Sequence, residues 1–191
     1  MNTLDAIAAR RSIRRFKDVP VPEETLQAIL AAAVQAPSSK NRQPWRFVVI
    51  RSDKRAEMIR VFREGIAAWK ARYENAGSGE WTANAMEQAP VTIFVFNPQG
   101  LQPWLPHSTG QMVDDVICIQ SIGAAIQNML LAATDLGIGS LWICDVFYAY
   151  EELCKWLGET GEMIAAVTLS YADENPAARP RKPISEIVGE M

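Results

Sequence analysis

Apolar residues recur on nearly every side of the stretch 113–136 when it is drawn as a helix, and no proline interrupts it. At the rise of an α-helix the stretch would be about 36 Å long, and such a helix must be buried on more than one side. A membrane span is disfavoured because polar residues break the apolar run repeatedly: Asp114, Asp115, Gln120, Gln127, Asn128 and Asp135. A chain of 191 residues can hardly enclose so long a helix, so we expect part of it to face a second subunit.

Shorter periodic stretches predict the remaining helices and strands. Helical patterns cover residues 4–10 behind a Thr3 cap, a helix from Pro22 that ends before Pro37, residues 53–73 behind an Asp53 cap, and residues 150–157. Strand patterns cover residues 46–50, 91–97, a run that starts near Leu141, and residues 163–170. Helices therefore alternate with about four or five strands in one domain, residues 1–191, as in α/β or α+β proteins.

Three segments lack a periodic pattern. Residues 37–45 are polar and bounded by prolines, which predicts an ordered loop of hydrogen-bonding side chains. Residues 74–88 and 98–110 are predicted to be mobile or lid-like, and they carry Trp81 and Trp104. Either tryptophan could cover a bound ligand or simply pack on a neighbouring subunit.

Composition narrows the class of protein. The net charge of −3 argues against a general nucleic-acid or anionic-membrane binder. The first eleven residues lack the apolar core of a signal peptide, which predicts a cytoplasmic protein. Cys118, Cys144 and Cys154 have no metal-binding spacing and lie in apolar patterns, so we expect buried free thiols.

The inventory of reactive groups is short. His107 is the only histidine, so a multi-histidine metal site is impossible and no metal site is predicted. The glycine-rich signatures of dinucleotide and P-loop sites do not occur. If the chain is an enzyme, a bound cofactor is expected to carry the chemistry, with no catalytic side chain.

Five cations and Ser12 lie between Arg10 and Lys17, in the sequence RRSIRRFK. Arginine forks and a hydroxyl suit phosphate oxygens, so the cluster is a candidate phosphate site. A solvated basic turn or an RNA contact is the alternative interpretation, and composition alone does not decide between them.

Four motifs occur in one order along the chain: RRSIRRF, APSSKNRQPW, IQNMLLAATDLGIGSLW and RPRKP. In order and spacing they resemble the FMN-dependent nitroreductase family over nearly the whole chain. The resemblance implies an α+β fold, a three-layer α/β/α sandwich around a mostly antiparallel sheet of four to five strands. It also implies a homodimer with two non-covalent FMN sites at the interface, where the long helix would lie.

Residue roles follow from the matching positions. Arg10, Arg11, Ser12 and Arg14, with Arg181 and Lys182, resemble the residues that hold the FMN phosphate and ribityl chain. Pro37, Ser38, Ser39, Asn41 and Gln43 match a loop that reaches the flavin of the partner subunit. Leu141, Trp142, Ile143 and Cys144 match the segment beside the ring, where family members donate a backbone N–H towards N5. This segment lacks the proline or Gly-Glu-Gly-like residues that are frequent there in the family. Asn84 is only a candidate for the residue that hydrogen-bonds the pyrimidine edge of the flavin.

The resemblance implies a reaction in which NAD(P)H reduces the flavin, which then reduces a nitroaromatic, a quinone or a similar electrophile in a ping-pong sequence. Reductive dehalogenation, enone reduction, flavin fragmentation and oxidative dehydrogenation are alternatives on the same fold. A non-catalytic phosphate- or RNA-binding module is the alternative from a different class. Trp81 and Trp104 are the candidate lid residues over the flavin.

Overall fold

The computed structural model describes residues 1–190, in which six helices and four strands alternate. The helices are α1 (Thr3–Ala9), α2 (Glu23–Ala33), α3 (Ser52–Tyr73), α4 (Gly79–Gln88), α5 (Thr109–Asp135) and α6 (Tyr150–Leu157). The strands are β1 (Arg46–Ile50), β2 (Val91–Asn97), β3 (Gly139–Ile143) and β4 (Glu162–Ser170). Short 3₁₀ turns occupy Ser39–Asn41, Asp145–Ala149 and Ile184–Glu186.

The four strands form one sheet in the order β1-β2-β4-β3, and every pairing is antiparallel. The two central strands are the most buried, with all seven residues of β2 and eight of the nine residues of β4 buried. Side chains alternate between the faces of a strand, so Phe94 and Phe96 enter one core and Ile93 and Val95 enter the other. The predicted antiparallel sheet is confirmed, at four strands.

Helices cover both faces of the sheet. The phenylalanine face packs against α3, α4 and α6, whereas the isoleucine and valine face packs against α2 and α5. The molecule is therefore the α+β three-layer sandwich that the resemblance implied.

Helix α5 has 27 residues and begins four positions earlier than predicted. Its start is fixed by Ser108, whose Oγ accepts a hydrogen bond from the Gln111 N–H at 3.2 Å. Ile122, Ala125, Ile126, Met129 and Ala133 are fully buried against the sheet and α2. Its length and mean hydropathy of 1.6 would also suit a membrane span, but 44% of the relevant window is buried within the structure, as in a core helix.

Four local predictions are wrong. Residues 74–88 are not a mobile segment, because α4 occupies most of them and buries Ala83, Ala85 and Met86. Helix α1 is capped by Asn2 rather than Thr3. Arg51, not Asp53, is the N-cap of α3. Cys144 is exposed, whereas Cys118 and Cys154 are buried as expected.

Candidate functional site

The basic segment between α1 and α2 runs along the free edge of β3. Ser12 forms a parallel bridge with Ser140, and the Ile13 N–H donates to the Ser140 carbonyl at 3.0 Å. Phe16 is buried and forms an antiparallel bridge with Ala172. These contacts place the cations of the segment beside Leu141 and the residues that follow it.

A return segment after β4 clamps the backbone of the same cations. The Glu174 carboxylate accepts hydrogen bonds from the Arg14 and Arg15 backbone N–H groups, the latter at 3.1 Å. The Arg15 guanidinium donates to the Asp173 carbonyl at 2.6 Å. Glu174 thus binds backbone rather than the Arg14 guanidinium, which donates to the Ser12 carbonyl at 3.2 Å and lines both adjoining clefts.

The first cleft, which we call the basic cleft, has a volume of about 360 Å³. Five of its lining residues are arginines, and none of the lining residues is Asp or Glu. Its polar lining comprises Arg10, Arg11, Ser12, Arg14, Arg179 and Arg181. An excess of fixed guanidinium groups without carboxylate partners is a site for a phosphate or another polyanion.

The basic cleft brings together five of the predicted phosphate residues: Arg10, Arg11, Ser12, Arg14 and Arg181. Lys182 does not line it. Arg179 lines it although the sequence analysis omitted this residue, and its place two positions before Arg181 in the RPRKP motif was the available signal.

The second cleft, which we call the ring cleft, has a volume of about 330 Å³ and adjoins the first, since Arg14 lines both. One wall is the end of β3, which supplies Leu141, Trp142, Ile143 and Cys144, followed by Asp145. The opposite wall is α4 with its N-cap residue, which together supply Ser78, Trp81, Thr82 and Ala85. The predicted ring segment and the predicted lid residue Trp81 therefore meet at one cleft.

The edge of β3 offers backbone hydrogen-bonding groups to the ring cleft. The Ser140 carbonyl points outward from the sheet, because it accepts from Ile13 of the basic segment. Alternate residues of a strand direct their N–H and C=O groups to the same edge. The backbone N–H and C=O of Trp142 therefore point to the open edge as well, next to Arg14.

Asp145 joins the two walls of the ring cleft. Its Oδ2 accepts hydrogen bonds from the Ser78 hydroxyl at 2.6 Å and from the Thr82 hydroxyl at 2.5 Å. The sequence analysis missed this contact, which joins residues more than 60 positions apart. Partial burial and the neighbouring Asp145 carboxylate raise the pKa of Cys144, so its thiol stays protonated and unreactive near neutral pH.

The loop before β1 is held in a strained conformation. Three residues other than glycine have positive φ, namely Lys40 (53°), Asn41 (53°) and Gln43 (49°). The Ser38 Oγ accepts from the Gln43 N–H at 3.0 Å, which stabilises this shape. Left-handed residues of this kind cost about 1–3 kcal/mol each and concentrate at functional sites.

The same loop does not reach either cleft of its own chain. None of Pro37, Ser38, Ser39, Asn41 and Gln43 lines the basic cleft or the ring cleft. The loop is instead fixed to α5 by an ion pair between Arg42 and Asp114 at 3.1 Å. Its predicted role towards a partner subunit stays a prediction.

Two other predicted residues lie away from the ring cleft. Asn84 is exposed on the far side of α4, where its carbonyl oxygen accepts from the Arg63 guanidinium at 3.0 Å. Trp104 lies edge-on to Tyr150, with ring centroids 4.5 Å apart, in a separate cleft. Within one subunit the structure therefore places Trp81, but neither Asn84 nor Trp104, at the ring cleft.

The chain is similar to known proteins over most of its length. The model of the nitroreductase family matches residues 7–171. A protein of Methanothermobacter thermautotrophicus, named for NADH dehydrogenase and NAD(P)H nitroreductase activity, is 30% identical over 94% of this chain and 82% of its own length.

Solved structures with bound FMN are similar over the whole chain. A nitroreductase-type protein of Desulfovibrio desulfuricans in complex with FMN is 30% identical, with a TM-score of 0.78 over 100% of this chain and 97% of that chain. A nitroreductase of Desulfitobacterium hafniense with bound FMN is 29% identical, with a TM-score of 0.74 over 100% of this chain and 99% of that chain.

Proposed function

The chain belongs to the nitroreductase family, and we propose that it binds FMN across the basic and ring clefts and uses NAD(P)H to reduce small electrophiles. It is an FMN-dependent oxidoreductase of the NAD(P)H nitroreductase type. The observation that carries the proposal is the continuity of the two clefts through Arg14.

The chemistry of the two clefts fits the two ends of FMN. A phosphate dianion suits the basic cleft, where five arginines and Ser12 face no carboxylate among the lining residues. A planar ring suits the ring cleft, whose lining is dominated by the edge of β3 and by Trp81 and Ala85.

Each wall has a defined task in this proposal. Arg10, Arg11, Arg14 and Arg181 hold the phosphate, together with the Ser12 hydroxyl. The outward Trp142 N–H is the candidate donor to the ring edge, in agreement with the donor that the resemblance implied. Bound FMN supplies the hydride and electron transfer, so the chain needs no acid–base side chain of its own.

Two features support the proposed homodimer. Helix α5 exposes apolar side chains that are more than one third accessible: Met112, Val113, Val116 and Ile119. The strained 38–43 loop is attached to the same helix through the Arg42–Asp114 ion pair. A second copy packed on α5 would cover the apolar residues and bring its loop towards the clefts of the first, so Ser38, Ser39, Asn41 and Gln43 are proposed to contact the partner's flavin.

The electron acceptor is proposed to be a nitroaromatic or a quinone. Dehalogenation, enone reduction and oxidative dehydrogenation would use the same clefts. Anaerobic stopped-flow mixing with NADH and NADPH separates these cases: rapid bleaching of the flavin supports the reductase, and a flavin that neither nucleotide bleaches favours oxidative dehydrogenation. The cytoplasmic location also stays a prediction.

The phosphate assignment is tested by the double substitution Arg10→Ala and Arg14→Ala. Hydrogen bonds to a charged group contribute about 1.5–3 kcal/mol each, so we expect FMN affinity to fall by about a hundredfold or more. Isothermal titration of the apoprotein with FMN measures the change. Arg60→Ala is the control, because Arg60 is exposed on α3, where it forms an ion pair with Glu64 away from both clefts.

Unchanged FMN affinity in the double variant would show that the phosphate binds elsewhere. Protein that remains colourless after incubation with FMN would contradict the whole proposal. A salt-dependent RNA complex of such flavin-free protein would instead support the binding-module alternative.

A further inference from the structure

A third cleft, with a volume of about 320 Å³, lies between the C-terminal half of α3 and the start of α6. We call it the aromatic cleft, because six of its eleven lining residues are aromatic: Trp69, Tyr73, Trp104, Phe147, Tyr148 and Tyr150. It shares no lining residue with the basic cleft or the ring cleft. The FMN proposal leaves this cleft without a role.

The aromatic side chains form two walls. On one side Trp69 lies 4.5 Å from Tyr73 and 5.4 Å from Tyr148, measured between ring centroids. On the other side Tyr150 lies 4.5 Å from Trp104 and 5.8 Å from Phe147. The rings of each pair are tilted or edge-on to one another rather than stacked.

Hydrogen bonds fix both walls before any ligand binds. The Trp69 indole N–H donates to the Asn75 carbonyl at 2.9 Å, and the Tyr150 hydroxyl accepts from the Met163 N–H at 2.9 Å. A preorganised cleft binds with less loss of side-chain freedom than one that must form around its ligand.

The cleft carries two carboxylates without cationic partners. Glu151 and Glu152 line it at the first turn of α6, and no Lys or Arg nitrogen of residues 1–190 lies within 4 Å of either carboxylate. Gly65 makes room for the Glu152 carboxylate, because a Cβ at Gly65 would lie 2.9 Å from the Glu152 Oε2 and 2.3 Å from the Ala149 Cβ.

One cation of the chain already uses an aromatic ring of this cleft. The Arg72 guanidinium lies over the Tyr73 ring, 5.2 Å from its centroid. The charge of the lining is still negative by one, since two glutamates face one arginine. Aromatic faces together with an unpaired carboxylate attract cations, and they favour alkylated ammonium groups because these are weakly hydrated.

We propose that the aromatic cleft is a second ligand site, which binds a small organic cation of the quaternary or alkylated ammonium class. The ammonium group lies between the Trp69–Tyr148 and Trp104–Tyr150 walls, with Glu152 as its counter-ion. Trp104 is therefore a wall of this site rather than a cover over the flavin of its own subunit.

Choline and its neutral isostere 3,3-dimethylbutan-1-ol test the proposal, because they differ in charge and hardly in shape. Binding to the FMN-loaded protein is measured by isothermal titration and by the ¹⁵N–¹H signals of the tryptophan indoles. We expect choline to bind at least about tenfold more tightly than the isostere and to shift the Trp69 and Trp104 signals, with the Trp81 signal unchanged.

Glu152→Gln keeps the size of the side chain and removes its charge, so it is expected to weaken choline binding severalfold and to leave the isostere unaffected. Glu24→Gln is the matched control, because Glu24 is exposed on α2 in the opposite helical layer. Trp104→Ala provides a second test, since the Trp104 side chain is about half exposed. This variant should also weaken the binding of choline.

Equal affinity for the two probes would overturn the proposal and leave an uncharged apolar pocket. Choline binding that is insensitive to both Glu152→Gln and Trp104→Ala would place the cation elsewhere, and the absence of saturable choline binding would also contradict it.

Discussion

At the scale of single residues, the least expected feature is a buried polar cluster near the start of β4. Glu162 is only 6% exposed, and its Oε2 accepts a long hydrogen bond of 3.4 Å from the Asn97 amide. Asp115 is 7% exposed, its Oδ1 accepts from Gln111 at 2.7 Å, and the His107 Nε2 lies 3.4 Å from its Oδ2. The sequence analysis placed His107 in a loop but could not foresee these partners, which belong to three different elements.

Glu162 predicts a pH dependence of stability. Burial first, and then repulsion from Asp115, raises the pKa of its carboxyl group above the ordinary value. A pKa that is higher in the folded than in the unfolded chain adds stability that is complete below the unfolded pKa, about 4.3. That stability is lost as the pH rises through the folded pKa. The Glu162 carboxyl group therefore favours the folded state less at neutral pH than at acid pH.

We expect Glu162→Gln to raise the midpoint of thermal unfolding at pH 7, with an advantage that shrinks as the pH falls towards about 4.3. Unfolding followed by circular dichroism across this range measures the difference. Glu186→Gln serves as the control, because Glu186 is exposed in the C-terminal segment. A constant destabilisation at every pH would mean that the carboxylate is needed for packing or hydrogen bonding rather than tolerated as a buried charge.

Residue types alone revealed much of the basic cleft, because arginines within a few positions stay close in any local fold. Arg10, Arg11 and Arg14 needed no tertiary information to be grouped. Their meeting with Arg181 came only from the resemblance, and the structure places them together. The Asp145 contacts with Ser78 and Thr82 could not be predicted, since a single aspartate carries no signal for distant hydroxyl partners.

At the scale of elements, α4 shows why composition misled the prediction. Glycine and serine at residues 77–79 suggested mobility, but Gly77 and Ser78 form the turn before the helix and Gly79 is its first residue. Three of its four buried residues are glycine or alanine, namely Gly79, Ala83 and Ala85, whose small side chains give a weak apolar periodicity. The helix is nevertheless anchored at its start by Asp145, and it holds Trp81 beside the ring cleft with 81% of that residue exposed.

Trp81 is expected to stack on an aromatic acceptor in the ring cleft. An aromatic pair contributes about 0.5–1.5 kcal/mol beyond area burial, so Trp81→Ala should raise the KM for a nitroaromatic acceptor about threefold to tenfold. FMN content and turnover of a small quinone should change little, because Trp81 is exposed and its loss removes no core contact. Steady-state kinetics with both acceptors make the comparison.

Trp104→Ala tests the predicted lid role of Trp104. Within one subunit Trp104 belongs to the aromatic cleft, so its removal should leave the KM for the nitroaromatic unchanged. An equal rise in KM for Trp81→Ala and Trp104→Ala would instead support the predicted lid of residues 98–110, which would then cover the flavin of the partner subunit. Loss of FMN from Trp81→Ala would show that this tryptophan is structural.

At the scale of the whole molecule, the order of the elements was predictable because strong periodic signals recur between clear turns. The strand order was not predictable, because β3 pairs with β4 and not with β2, the strand that precedes β3 in the chain. The apolar surplus of α5 pointed to a partner, and the structure shows that the surplus is concentrated in its first half. The left-handed residues of the 38–43 loop were invisible in the sequence, because lysine and glutamine rarely adopt that conformation.

The first half of α5 provides the test of assembly. Val116 is 53% exposed, so Val116→Asp should not unfold a single subunit. In a dimer that buries this face, an unpaired carboxylate would cost several kcal/mol, and the variant should be monomeric by size-exclusion chromatography with light scattering. FMN retention should fall in parallel, because the monomer lacks the partner's 38–43 loop. Val34→Asp is the matched control, since Val34 is 42% exposed at the end of α2. A Val116→Asp protein that stays dimeric and fully loaded with FMN would move the interface away from α5.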